Sequence, residues 1–111
     1  MKAVLWAAAV AVMGVGVAEA KPAGCSLVIA KADVFSGTCE FDPHGDGSGG
    51  FVLTSPDGYF VYVNVNSPGE ADGYWNGWEK DSHAHSGLGT LLREKSDGAC
   101  WSNGYARVCA R

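Results

Sequence analysis

The chain has 111 residues, with 8 basic against 12 acidic side chains and a formal net charge of −4. It has no basic stripe, which excludes a nucleic-acid partner, because such a partner needs clustered Lys and Arg to neutralise phosphates. A chain this short encloses only a modest core, and its 4 cysteines point to covalent help.

Met1-Lys2 is a short positive start, and Ala3 to Val17 is an Ala/Val-rich run containing Leu5, Trp6 and Met13. Ala18-Glu19-Ala20 then places small residues where a signal peptidase reads, so residues 1–20 are expected to be a cleaved signal peptide and residues 21–111 a single domain. The run is shorter than the roughly 20 apolar residues of a membrane helix, and no second one follows, so no transmembrane segment is expected in the mature chain. Ala23-Gly24-Cys25 has the small-small-Cys form used for lipidation. Pro22 and Lys21 argue against that use, and lipidating Cys25 would leave an odd number of cysteines. In a periplasmic or secreted chain, four cysteines read as two disulfides.

The segment from Cys25 to Cys39 reads as a hairpin centred on Ala32, pairing Leu27 with Gly37, Ile29 with Phe35 and Cys25 with Cys39. Because side chains alternate faces along a strand, one face would carry Cys25, Leu27, Ile29, Phe35, Cys39 and Phe41. Asp42 to Gly50 is too glycine-rich for regular structure. Asp42, His44, Asp46 and Gly47 echo the start of a calcium loop, but Leu53 stands where the bidentate Glu is needed. Phe51 to Thr54 and Tyr59 to Val65 flank Ser55-Pro56-Asp57-Gly58, a tight turn. The second run is β-branched and aromatic throughout and is expected to be buried on both faces.

Ala71 to Trp75 and Ser86 to Arg93 are further strands, and Ala99 to Ser102 and Tyr105 to Cys109 flank Asn103-Gly104, a favoured two-residue hairpin turn. That register sets Cys100 opposite Arg107 and Cys109 on the diagonal, so a Cys100–Cys109 bond needs a bulge or bend. No segment beyond the leader shows a helical apolar period. The expected fold is all-β, an antiparallel sheet of about seven strands curled into a barrel or sandwich, with Cys25 joined to Cys39 and Cys100 to Cys109.

Chemistry concentrates between Gly73 and His85. Tyr74, Trp75, Asn76, Trp78 and Glu79 combine flat apolar faces with polar groups, the means of stacking a sugar ring or anchoring a protein. His83 and His85, two apart, would share one face of a strand with Asp81, an alternative site for Zn²⁺ or Cu²⁺. Otherwise no cofactor is expected. Ser82 beside His83 is no catalytic pair, since catalytic groups converge in space and not by adjacency, and no two carboxylates stand out as an acid/base pair. The chain is therefore expected to be a non-catalytic binding domain that contacts a protein or an envelope glycan, with oligomeric state left open.

With Cys25 and Cys39, Tyr59-Phe60-Val61-Tyr62-Val63, Tyr74-Trp75-Asn76-Gly77, Ser82-His83-Ala84-His85, Leu88-Gly89-Thr90-Leu91 and the ending Ala99-Cys100-Trp101 to Arg107-Val108-Cys109-Ala110, the chain resembles a group of small, uncharacterised exported proteobacterial proteins. The resemblance implies a periplasmic or secreted bacterial protein and no activity. Small periplasmic lysozyme inhibitors share the size, disulfides and β architecture, but their Ser-Gly-x-x-Tyr loop has no counterpart here.

Overall fold

A computed structural model describes residues 20–111, so the expected signal peptide, apart from its last residue, lies outside the described residues. Eight strands follow one another: β1 (Lys21–Ile29), β2 (Ala32–Pro43), β3 (Phe51–Thr54), β4 (Phe60–Ser67), β5 (Glu70–Trp75), β6 (Ser86–Arg93), β7 (Cys100–Ser102) and β8 (Ala106–Ala110). Each pairs antiparallel with its chain neighbour, and β1 pairs with β8 to close a barrel. Closure leaves no free sheet edge, which removes the usual template for edge-to-edge association. Eight strands stand where about seven were expected, β7 being only three residues long.

Alternation explains the core. Leu27, Leu53, Val61, Val63, Leu91 and Val108 point inward and are fully buried, so side chains fill the barrel. In β6 a register shift at Gly73/Tyr74 lets both Leu88 and Leu91 face the core, three residues apart. The expectation that β4 is buried on both faces fails. Val61 and Val63 are enclosed, but Tyr62 is exposed and Phe60 half-buried, because a closed barrel has only one inside.

Both disulfides form as expected, Cys25–Cys39 and Cys100–Cys109, and Cys25 is thereby withdrawn from lipidation. Both registers differ from the expected ones. The first turn is Ala30-Lys31, so Cys25 lies opposite Gly37 and Leu27 opposite Phe35, and the bond to Cys39 runs diagonally. The last hairpin turns on Gly104-Tyr105, one residue later than expected, so Cys100 sits directly opposite Cys109 and needs no bulge. The side chain of Asn103 explains this choice. Its Oδ1 accepts from the N–H groups of Tyr105 (3.0 Å) and Ala106 (2.9 Å), while Nδ2 donates to the carbonyls of Leu88 (2.8 Å) and Thr90 (3.0 Å) on β6. Asn103 thus flanks the turn and stitches it to the neighbouring strand. Cys25 and Cys39 belong to the barrel interior, whereas Cys100 and Cys109 are buried on the opposite face from Trp101 and Val108.

The barrel has two unlike ends. At one, the turns 30–31, 55–59 and 103–106 meet the long loop 76–85; at the other, the loops 44–50, 68–69 and 94–99 surround the outer ends of β1 and β8. Among the described residues no helix is long and apolar enough to cross a membrane. Two disulfides are consistent with an extracytoplasmic protein.

Candidate binding surface

The loop between β5 and β6 is built on Asn76, whose side chain is fully buried. Its Oδ1 accepts from Phe60 N–H (3.1 Å), and Nδ2 donates to the carbonyls of Gly58 (2.9 Å) and Glu79 (3.1 Å). Ser82 adds a second tie, donating from its hydroxyl to the Glu79 carbonyl at 2.8 Å. Asp81, with φ of 64°, donates its N–H to Gly58 at 2.8 Å and docks the loop on the 55–59 turn. Gly77 is required where it stands: its φ is +65°, and a Cβ there would lie 2.9 Å from Ser86 Oγ and 3.1 Å from His85 Cε1.

Trp75 is buried at the end of β5, and Trp78 folds back onto it edge to face, with centroids 5.2 Å apart and planes at 82°. Tyr59 meets Trp78 in the same way at 6.0 Å, and the Lys80 ammonium stands 5.6 Å over the Tyr59 ring. Trp78 stays 57 % exposed, so it covers this end of the barrel with one face and leaves the other to solvent.

Of the residues expected to form a contact surface, Trp75 and Asn76 are therefore corrected to core and loop anchor. Tyr74, Trp78 and Glu79 lie at the surface. Beside them, Phe60 and Tyr62 of the strand expected to be buried on both faces form a wall with Tyr74. Tyr62 on β4 lies directly opposite Tyr74 on β5, Val52 on β3 lies on the other side of Tyr62, and Phe60 meets Tyr62 edge-on at 6.0 Å. The Tyr74 ring rests beside Gly87 at van der Waals distance. Asn64 is held by His44, Nε2 to Oδ1 at 2.9 Å, and His83 and Ala84 complete the rim of a shallow recess of about 340 Å³. The signal that could have revealed this wall is the Tyr62/Tyr74 parity, opposite to that of Val61, Val63 and Trp75.

The metal alternative is corrected. Residues 81–85 form no strand, so alternation does not bring Asp81, His83 and His85 to one face. Among the described residues no group of three His, Cys, Asp or Glu side chains converges to hold an ion. The two imidazoles lie 5.3 Å apart, but His85 Nε2 is taken by Glu79 Oε1 at 2.8 Å. The calcium-like stretch is also occupied internally. Asp46 Oδ1 accepts from Ser48 N–H at 3.0 Å, and hydrogen bonding from Ser48 holds its carboxyl below the usual range. No family model, curated protein or solved structure matches the chain.

Proposed function

We propose that the protein is a non-catalytic binding domain, periplasmic or secreted, that contacts an envelope glycan through the wall formed by Phe60, Tyr62, Tyr74 and the 76–85 loop. The observation that carries this reading is the placement of Tyr62 opposite Tyr74 on the outer face, beside a fixed amide, Asn64, and an imidazole, His83. Phenol rings offer apolar faces for the C–H side of a sugar, and the neighbouring amide and imidazole supply hydrogen bonds that select its hydroxyls. A protein partner uses the same wall in the variant form of this reading.

The test is retention of the protein on purified peptidoglycan and on the saccharide of the outer envelope, with Tyr62→Ala and Tyr74→Ala compared against the unaltered chain. Each variant is expected to lose about tenfold or more in affinity, an aromatic contact of the kind that dominates such surfaces. Trp78→Ala is a poorer probe, since Trp78 also packs on Trp75 and Tyr59. Undiminished retention in both tyrosine variants would remove the wall from consideration, and retention only of an envelope protein would replace glycan by protein as the partner.

A further inference from the structure

The end of the barrel opposite the 76–85 loop is open. Inward positions there carry aromatics deep in the barrel and small residues at the rim: Phe51, Val65 and Trp101 form a floor and Phe41 a wall, while Gly98 and Ala110 stand at the edge. Small rim residues leave a recess of about 350 Å³ at this end, in which Phe41 and Val65 are half-buried while Phe51 and Trp101 stay buried beneath. Phe41 and Phe51 stack at 5.1 Å, so the apolar lining is pre-formed.

One charged group is aimed at it. Arg93 shares the inward parity of Leu91, and its guanidinium lies 5.5 Å over the Trp101 ring. Its Nε donates to the Gly98 carbonyl at 2.8 Å, which fixes the group's orientation. Nearby carboxylates are committed elsewhere: Glu94 to Arg107 at 2.8 Å, Asp97 to Arg111 at 2.7 Å, Glu70 to Ser67 at 3.2 Å and Asp46 to Ser48. Among the described residues Arg93 makes no ion pair, and its terminal NH₂ groups have no hydrogen-bond partner in the protein. The Lys21 ammonium stands 5.7 Å over the Phe41 ring but lines a neighbouring recess, so Arg93 is the cation of this one.

We propose that this mouth is a binding site for a small apolar organic anion, a carboxylate carried on a short acyl or aromatic body. The apolar part enters between Phe41, Phe51 and Trp101, and the carboxylate meets the free edge of the Arg93 guanidinium, a pairing suited to two parallel hydrogen bonds. Barrel mouths are a recurrent place for such sites, and the volume falls at the small end of the roughly 300–1,000 Å³ seen for ligand pockets. The site is separate from the aromatic wall, so it stands or falls independently of the function proposed above.

Octanoate and octanol are the probes, titrated into the whole chain purified with both disulfides oxidised. Binding is followed by calorimetry and by the magnetic resonance signals of the Trp101 indole N–H and the Arg93 Nε–H. Octanoate is expected to bind saturably and about tenfold tighter than octanol, the scale of a hydrogen bond to a charged group. Arg93→Met is expected to bring octanoate down to the level of octanol while leaving octanol unchanged. Gly98→Phe is expected to abolish both; Gly98 lies outside the left-handed region and a Cβ there meets nothing within 4 Å, so the fold accepts the ring. Equal affinities for octanoate and octanol, undiminished octanoate binding in Gly98→Phe, or no saturable binding of either probe would overturn the proposal.

Discussion

At the scale of single residues, the first hairpin turn carries strain. Ala30 and Lys31 have φ of 49° and 70°, a left-handed pair that suits Asn-Gly, since Gly has no Cβ and the Asn side chain supports that conformation by local hydrogen bonding. The Ala30 N–H donates to Tyr105 O at 2.8 Å, so the turn is also tied to the β7–β8 hairpin, and that bond survives any side-chain change. Replacing the pair by Asn-Gly is expected to raise the unfolding free energy by about 1–2 kcal/mol, read from denaturant midpoints at unchanged m-value. Asn76 predicts the opposite sign. Asn76→Ala leaves Phe60 N–H without its partner and removes one of the donors to the Gly58 and Glu79 carbonyls, which keep Asp81 and Ser82, and is expected to cost on the order of 1–3 kcal/mol in the same measurement. Its place inside the fold was not legible. An amide between two indoles in a polar stretch reads as contact surface until the turn it supports, 16 to 18 residues earlier, is seen beside it.

Among the elements, strand identity was legible and register was not. The odd-numbered face of the first hairpin is buried at Cys25, Leu27, Ile29, Phe35 and Cys39, because parity survives a two-residue slip. Direct opposition of Cys25 and Cys39 did not survive it, since a diagonal bond satisfies the same alternation. In the last hairpin the dipeptide Asn103-Gly104 pointed to a turn one residue too early. Local preference was overridden by hydrogen bonds from Asn103 to β6, which no hairpin considered alone contains. The two disulfides close loops of 14 and 9 residues, which chain entropy converts to about 3 and about 2.5 kcal/mol. Cys100→Ala/Cys109→Ala is accordingly expected to lower the unfolding free energy by about 2–3 kcal/mol, measured by calorimetry against the intact chain. A loss below about 1 kcal/mol would show that the facing register and the hydrogen bonds of Asn103 hold this hairpin unaided.

For the molecule as a whole, the surface beside the closing seam is laced by ion pairs: Arg107 with Glu94, and Arg111 with Asp97. The hydrogen bond from Arg107 holds the Glu94 carboxyl below its ordinary range, and that from Arg111 does the same to Asp97. A carboxyl with a lower pKa folded than unfolded stabilises the fold fully above the unfolded value, and that contribution is lost as the pH falls through the folded one. The thermal midpoint is therefore expected to fall below about pH 4, more steeply than in Glu94→Gln/Asp97→Asn, with the difference reduced by added salt. At this scale the barrel was legible as an all-β shell stapled twice. Its mouth was not, since Phe41, Phe51, Val65, Arg93 and Trp101 come from five strands and meet only on closure.

The edge-to-face contact of Trp75 with Trp78 has an optical consequence. Two indoles this close couple their electronic transitions, and the pair gives a split circular dichroism band that neither ring gives alone. One ring belongs to the barrel and the other to the loop, so the band vanishes when the loop lifts, even while the sheet signal persists. Trp101 sits near the other end, under Arg93, and in Trp75→Phe/Trp78→Phe its emission is expected to report there instead. Among the described residues the tryptophans thus serve as native chromophoric reporters for both ends, with no label attached.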